Sequence, residues 1–400
     1  RIQPQQLVTP GRWLFRPAHF HNAEIESIDI EAQRVVTSRA IDGREYVLEY
    51  DHAVMAMGTM DDMSRFPGLA EHTQRVKTYW DCVKARSHVL SLLEMAELES
   101  DPEERQRLLT FVCVGGNIGG IEVAAELSNY FEVLVKKEFP RLQLDEFRVM
   151  VVHGGDSILP ELGDSKPRLV RYARDFLERR GVEFRLNTRL TSATAEEAIL
   201  NGEERIPTRT ILSCAGSTAT PVVESLPFEG TRGGRIQVDA AGRVIGSDSL
   251  WAAGDCAALP HPKGGVCPTI ATYAMFGGKH VGKNLLRHLR GRSLKPFRFS
   301  GIGEGCSIGH RRAVAHVKGI PMWGVPGWIA WRATIMDFIP SWDRKIRIFM
   351  DWLLTAISGR DIANIRMNEP FGVRNELYEP GQEIVREGDV GQRLYVISEG

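Results

Sequence analysis

Between Gly115 and Gly120 this sequence places four glycines in six residues, Gly115-Gly116-Asn117-Ile118-Gly119-Gly120. The apolar run Phe111 to Val114 precedes them, and Ile121 to Leu127, with apolar residues spaced for a helix, follows. Strand, tight turn and helix start in that order bring backbone N–H groups and the positive end of a helix up to a pyrophosphate, which is how a dinucleotide is held. In the G-x-G-x-x-G pattern Gly115 and Gly120 take the outer places and Asn117 the middle one, where Asn is the residue best able to tolerate positive φ without being glycine. A turn with a purely structural purpose is the competing explanation. A second candidate lies in Ser249 to Asp255, SLWAAGD, a buried strand delivering Gly254 and Asp255 at its carboxyl end, where α/β sheets bind ligands. Twelve residues on, Cys267-Pro268-Thr269 opens a long helix to about Leu289, whose first amides form a positive site. Taken alone, Asp255 reads equally well as an N-cap or turn residue.

Both candidates need strands to carry them. Residues 20 to 59 alternate in the β manner over Glu24 to Ile30, Arg34 to Ser38 and Glu45 to Glu49. They lead into Tyr50 to Thr59, a strand ending in Ala56-Met57-Gly58, where small residues let the backbone approach a ligand closely. Leu90 to Glu99 reads as helix, Asp101-Pro102 as a fresh helix start, and Arg148 to Val152 as a second buried strand. Pro167 to Arg180 reads as a helix closed by Gly181, and Val182 to Leu186 as a short strand. Thr208 to Ser217 ends its strand in Ala215 and Gly216, echoing Ala56 to Thr59. Two similar strand ends flanking one βαβ unit point to an α/β fold of two nested dinucleotide-binding, Rossmann-like domains.

Composition narrows the function. With 400 residues, 43% of them hydrophobic, the chain can build two or three cores, and a net charge of −1 gives no electrostatic footing for nucleic acid. The six cysteines form no CxxC pair, so no metal site is expected and the thiols read as reduced, as in a cytoplasmic setting. No run of eighteen apolar residues appears, so no single helix is expected to span a bilayer. Arg1 opens in what reads as mid-fold and Val396 to Gly400 closes on an apparent strand and turn, so a fragment at both ends is expected.

In order and spacing the chain resembles the type II NADH dehydrogenases, within the larger class of flavoproteins with two dinucleotide domains. The runs that carry the likeness are Tyr50 to Gly58, Pro67 to His72, the central turn with Glu122, Trp251 to Cys256 and Pro296 to Phe299. Further on, Ser307-Ile308-Gly309 with Ala313-Val314-Ala315, and Asp351-Trp352-Leu353 with Gly359-Arg360-Asp361, extend it to cover residues 1 to 368. The resemblance implies FAD between the domains, NADH at the central turn, and hydride passing from nicotinamide to flavin. The family's FAD pyrophosphate glycines would precede Arg1, leaving the FAD domain incomplete. The implied domains are a first part of the FAD domain over 1–104, an NAD(P)H-binding domain over 105–232 and a second part of the FAD domain over 233–300. A membrane-association or dimer region over 301–368 and a further module beginning at 369–400 complete the chain.

The resemblance also implies roles for individual residues. Asp255 accepts from a ribityl hydroxyl in the room left by Gly254, the amides of Thr269 and Ile270 face flavin N1 and the C2 oxygen, and Ala56 and Gly58 pass beneath the same cofactor. Gly115, Gly116, Asn117, Ile118, Gly119 and Gly120 hold the NADH pyrophosphate, while Ala215 and Gly216 border the nicotinamide. Glu122 matches the family's carboxylate in the first turn of the central helix, where it could position the carboxamide or relay a proton. Simple stabilisation of a helix N-terminus by an acid is the alternative. His153 stands where NAD-preferring folds place an acid for the ribose hydroxyls, which leaves NADH against NADPH open, with NADH favoured by the resemblance. The two glutamines that the family carries beside the flavin are absent from Ile270 to Phe276, and Ile302 replaces its lysine. Quinone reduction would then use an altered, more apolar pocket, or another acceptor would serve.

Five of the eight tryptophans lie between Trp323 and Trp352, and Ile346, Phe349, Met350, Leu353, Leu354 and Ile357 fall on one helical face with Arg344, Lys345 and Arg347 near its start. This is the make-up of an interfacial amphipathic helix, with residues 323–357 on the membrane surface and indoles at headgroup depth; a dimer interface or core helix is the alternative. Leu377 to Asp389 and Leu394 to Gly400 resemble the opening strands of a cyclic-nucleotide-binding β-roll, against a merely structural β appendage. The expected partners are a membrane quinone or other electron acceptor, the cytoplasmic face of a membrane, a second copy of the chain in a homodimer, and a cyclic nucleotide at the last module. The leading reading is a peripheral, FAD-dependent NADH:quinone oxidoreductase. A reductase for a soluble acceptor and a redox-sensing regulatory protein with weak catalysis stand beside it.

Overall fold

The computed structural model describes residues 8–38, 44–63, 66–135, 137–163, 166–228, 230–231 and 233–358. Antiparallel strands β1 (Glu24–Asp29), β2 (Arg34–Ser38) and β3 (Glu45–Glu49) lead into two short strands, β4 (Ala53–Met55) and β5 (Met60–Asp61). Strand β6 (Thr73–Arg75), helices α1 (Tyr79–Leu98) and α2 (Pro102–Leu108), strand β7 (Thr110–Val114) and helix α3 (Ile118–Val135) come next. Strand β8 (Arg148–Val152), helix α4 (Pro167–Glu178) and strand β9 (Val182–Arg185) precede an antiparallel sheet of β10 (Leu190–Ala193), β11 (Glu197–Leu200) and β12 (Glu204–Pro207). Strands β13 (Thr210–Ser213), β14 (Ser217–Thr218), β15 (Ile236–Gln237), β16 (Leu250–Ala252) and β17 (Ala257–Ala258) lead to helix α5 (Ala271–Leu289). The C-terminal part holds β18 (Gly303–Ser307), β19 (Ala313–Val317) and β20 (Ile320–Trp323), then helices α6 (Gly324–Phe338) and α7 (Trp342–Ser358).

Five parallel strands, in the order β6-β13-β7-β8-β9, form the larger sheet, with β7 at its centre. A parallel strand covered on both faces should be apolar along its whole length, and Phe111, Val112 and Cys113 are fully buried. Phe111 packs on Phe131 of α3 with ring centres 4.7 Å apart, and Phe131 packs on Phe147 at 4.4 Å. Leu93 and Ala96 of α1 fill the same core. Helix α1 begins well before the apolar run at Leu90 because Thr78 and Asp81 form a capping box, and α2 begins under Asp101, whose carboxylate accepts the Glu103 N–H.

A second core gathers Met55, Leu250, Ala252, Cys256 and Leu259 around β4 and β16, which pair in parallel with Met55 opposite Ala252. The chain leaves this unit after β4 and returns to it at β15, so the nested α/β arrangement expected from the sequence is present. The two units meet where β5 pairs antiparallel with β14, Asp61 opposite Ser217 and Met60 opposite Thr218.

The C-terminal sheet β18-β19-β20 shares the larger core, to which Cys306, Ile308 and Val314 belong. On α7 Ile348 is buried, while Ile346, Phe349, Met350, Leu353, Leu354 and Ile357 are exposed, as the helical face predicted from the sequence requires. Of the indoles read as lying at headgroup depth, Trp331 turns inward onto Gly305, and Trp328 and Trp352 hold the Arg332 guanidinium between them at 4.6 and 4.0 Å. Among the described residues no helix is long and apolar enough to cross a membrane. The expected β-roll over 369–400 lies outside the described residues.

Backbone approach fixes the C-terminal sheet. Gly303 sits at φ +129°, and a Cβ there would lie 1.8 Å from the His316 carbonyl oxygen. Gly303→Ala is therefore expected to cost about 3 kcal/mol or more in denaturant unfolding, whereas Gly282→Ala on the exposed side of α5 should gain roughly 0.5–1 kcal/mol.

Candidate functional site

The glycine turn is drawn tight by its own backbone. Gly115 donates its N–H to Val152 O at 2.8 Å, and a Cβ on Gly120 would lie 1.9 Å from Gly115 O, so no other residue closes the turn. Asn117 is not in the positive-φ conformation expected of it. It caps α3 instead: Oδ1 accepts the Gly120 N–H at 2.9 Å, the main-chain oxygen accepts from Ile121 at 3.0 Å, and Nδ2 reaches across to Cys214 O at 2.7 Å. A glycine in the middle place could not tie the turn to the end of β13.

Ile118, expected to offer its amide to a pyrophosphate, already donates it to Glu161 Oε1 at 3.1 Å. A carboxylate on the first turn of a helix is stabilised as a phosphate would be. The Glu161 segment folds over the turn because Leu159 donates to Gly116 O at 2.6 Å. No local pattern announces this contact. The His153 ring lies against Gly116 and Gly155, with built Cβ positions only 2.7 Å from it in each case, and the Arg189 side chain covers Gly154. The end of β8 therefore presents an imidazole packed on the turn where an acid was absent from the sequence.

At the other candidate, Gly254 and Asp255 lie in a short 3-10 turn after β16, beside Met55 and Gly58. The Cys256 thiol reaches Met55 O at 3.5 Å and faces the Met57 and Gly58 amides. Gly58 and Gly254 both take positive φ, +67° and +74°, and neither would bring a Cβ closer than 3.8 Å to a neighbour. The half-buried Asp255 carboxylate accepts no hydrogen bond among the described residues, and Thr272 Oγ1, buried in the first turn of α5, has no partner. A part-exposed carboxylate that accepts no hydrogen bond among the described residues, with the Arg235 charge acting on it and an unsatisfied buried hydroxyl on the adjoining helix, fits a polyhydroxyl cofactor such as FAD.

The helix start expected at Pro268 is corrected, and with it the free amide expected of Ile270; the Thr269 amide has no acceptor among the described residues. Helix α5 starts at Ala271, not at Pro268, and Ile270 gives its N–H to Pro268 O at 3.0 Å in a tight turn. The free first-turn amides therefore belong to Ala271, Thr272 and Tyr273. Along the same helix Met275 and Phe276 are exposed where the glutamines are missing, and Phe276 stacks on Phe299 at 4.1 Å. Tyr273 adds a hydroxyl held 3.0 Å from His261 Nε2.

Glu122 lies in the second turn of α3 and not in the first, which holds no acid, so helix-end stabilisation explains it poorly. Its Oε1 accepts Ser307 N–H at 2.9 Å and Trp331 Nε1–H at 3.3 Å. Burial pushes its carboxyl up from the ordinary range, against the pull of those two donors, and Glu126 pushes the same way. Ser307 and Trp331 stand 185 and 209 residues downstream, beyond the reach of any sequence pattern.

The two candidates are joined. Ala56 to Thr59 runs from the Asp255 cradle to the pairing of β5 with β14, the Thr59 and Ser217 hydroxyls meet at 2.7 Å, and Gly216 O accepts the Asp62 N–H at 3.0 Å. Ala215 lies between that pairing and the Cys214 carbonyl that Asn117 binds. The Cys214 thiol, pushed up to about 12 by burial and the nearby Asp61, stays protonated, and all six cysteines are free. Asn117→Ala should cost about 1–2 kcal/mol of stability through the lost cap. It should also raise the KM for NADH several-fold with flavin content unchanged, read by urea unfolding, initial rates and absorbance.

Residues 17–278 match the pyridine nucleotide-disulphide oxidoreductase family, and residues 303–361 match the NDH2 C-terminal domain. A "Type II NADH:quinone oxidoreductase Ndh" of Mycobacterium tuberculosis is 27% identical over 84% of this chain and 73% of its own length. An "External alternative NADH-ubiquinone oxidoreductase, mitochondrial" of Yarrowia lipolytica is 26% identical over 90% of this chain and 72% of its own. In fold, the NDH2 structure from Plasmodium falciparum in complex with NADH superposes with a TM-score of 0.78 at 16% identity, over 86% of this chain and 85% of that one. With its two nucleotide units and its C-terminal sheet both matched, the chain belongs to the pyridine nucleotide-disulphide oxidoreductases and, among them, to the type II NADH dehydrogenases.

Proposed function

We propose that this chain is a non-proton-pumping, FAD-dependent NADH:quinone oxidoreductase that works at a membrane surface, with Glu122 as its reactive carboxylate. The observation that carries the reading is the joining of the Asp255 cradle to the glycine turn through β5 and β14. Bound FAD would supply the acceptor for the hydride of NADH and pass two electrons on to the quinone. Asp255, Thr272 and the first amides of α5 would hold that cofactor, and the Gly115–Gly120 turn, with His153 packed on it, would hold the nucleotide. Because burial raises its carboxyl, Glu122 keeps a proton to higher pH than an exposed glutamate, and a quinone needs two protons with its two electrons. The apolar surface of Met275 and Phe276 suits a lipid-soluble acceptor, though without glutamines it equally favours a second reading, a reductase for another acceptor.

The outer face of α7 supports the membrane placement. Trp342 is 78% exposed and Ile357 79%, with Phe349, Leu353 and Leu354 between them, and Lys345 lies over the Trp342 ring at 5.0 Å. Apolar side chains flanked by basic stems suit the headgroup region of a bilayer.

Glu122→Gln in the full-length holoenzyme is expected to lower turnover at least tenfold while leaving FAD content unchanged, as read from steady-state rates and the flavin spectrum. NADH oxidation should run faster with a short-chain quinone than with ferricyanide or oxygen; the reverse order would favour the soluble-acceptor reading. Phe349→Glu with Leu353→Glu should abolish flotation with anionic vesicles and leave NADH:ferricyanide activity within about twofold, since the removed contacts are apolar ones.

A further inference from the structure

Glu122 is anchored through one oxygen only. Oε1 takes both hydrogen bonds, whereas Oε2 takes none among the described residues and keeps accessible surface. Both donors come from the C-terminal region, one from the backbone at the end of β18 and one from the side of α6. The Trp331 ring has little freedom: it lies on Gly305, where a Cβ would be 2.5 Å from its Cε3. The next residue, Arg332, is the one clasped between Trp328 of α6 and Trp352 of α7. Withdrawing the indole from Glu122 therefore requires moving α6, and α6 is clasped to the helix that carries the exposed apolar face.

Among the described residues no cation offsets the charge of Glu122. The groups acting on it are Glu126, one turn on along α3, and the thiols of Cys306 on β18 and Cys214 after β13. Its ionised form depends on neutral donors, so each donor counts.

We infer that Trp331 is a positioning residue: its indole N–H fixes the Oε1 edge of Glu122 so that the Oε2 edge is the one presented for proton transfer, and the seating of α6 against α7 thereby sets the carboxylate. This rests on the reading of Glu122 as the reactive carboxylate.

The test uses the full-length holoenzyme. Trp331→Phe keeps a ring on Gly305 and removes the N–H. Its kcat for NADH oxidation should fall about tenfold, with the KM for NADH within about twofold. The limb of the pH profile set by Glu122 should move to higher pH, because losing a donor to the ionised form favours the neutral one. The infrared carboxyl band that disappears in Glu122→Gln should titrate at correspondingly higher pH. Trp331→His, which retains a ring N–H, should recover part of both shifts. Should the Phe variant fail to fold, Gly305→Ala, which displaces the indole from behind, is read in the same way. A band and a pH limb left where the wild type has them, in whichever of these two variants folds, overturns the inference, and so does identical behaviour of the Phe and His variants. A wild-type holoenzyme inert towards NADH would instead sink the proposed function, and the infrared titration would still judge the clasp.

Discussion

Two nucleotide folds can share one cleft only if the carboxyl ends of their strands face each other, because that is the side on which both leave backbone groups for a ligand. Four residues impose this here, Met60 and Asp61 paired with Ser217 and Thr218. A ribbon this short is weak alone, and side chains reinforce it: Lys77 Nζ donates to Thr59 Oγ1 at 3.0 Å and lies 3.6 Å from Asp61. Asp61 is 6% exposed, and burial pushes its carboxyl upward while Lys77 pulls the other way. A buried carboxylate whose partner is removed is costly, so the junction tolerates few changes of charge.

The two sides of the cleft differ in how their polar groups are used. Around the glycine turn the amides of Gly115, Ile118 and Gly120 and the carbonyls of Gly116 and Cys214 all have partners within the protein. Those groups are satisfied before any ligand arrives. In the cradle, among the described residues, the buried Thr272 hydroxyl has no hydrogen-bond partner, and the Asp255 carboxylate accepts no hydrogen bond and is acted on by the charge of Arg235. Leaving a buried hydroxyl unsatisfied costs about 1–3 kcal/mol, so a cofactor that supplies the missing partners contributes to folding as well as to chemistry. A flavin that is retained and a nucleotide that comes and goes call for this asymmetry.

Much of this was legible in the sequence because the signals were local. Phe111 to Val114 and Arg148 to Val152 read as buried strands because nothing polar interrupts them, Gly181 marked the end of α4 through its positive φ, and the outward face of α7 followed from helical spacing. Thr78 with Asp81 is a local signal for the start of α1 at Tyr79, which the apolar run from Leu90 does not reach. The start of α5 misled for a local reason too: Pro268 is a favoured opening residue, but the Ile270 N–H is spent on its carbonyl and the helix is delayed to Ala271. What could not be read were the long-range polar contacts. Glu161 on Ile118, and Ser307 and Trp331 on Glu122, carry no periodicity, and each needs the fold to be known before the pair can be named.

Those long-range contacts make the C-terminal region a wall of the site and not an attachment to it. Cys306, Ile308 and Val314 lie in the core of the larger nucleotide unit, Lys166 at the start of α4 holds Glu304 at 3.3 Å, and a Cβ on Gly309 would sit 2.9 Å from Ala125 O of α3. Packed interiors pass displacement on instead of absorbing it, since they hold few voids. The sheet therefore cannot shift on the nucleotide unit without disturbing α3. Because α6 and α7 grow directly from β20, the exposed apolar face has one orientation relative to the glycine turn. Under the membrane placement proposed above, a bilayer meeting that face would approach the glycine turn from a fixed side.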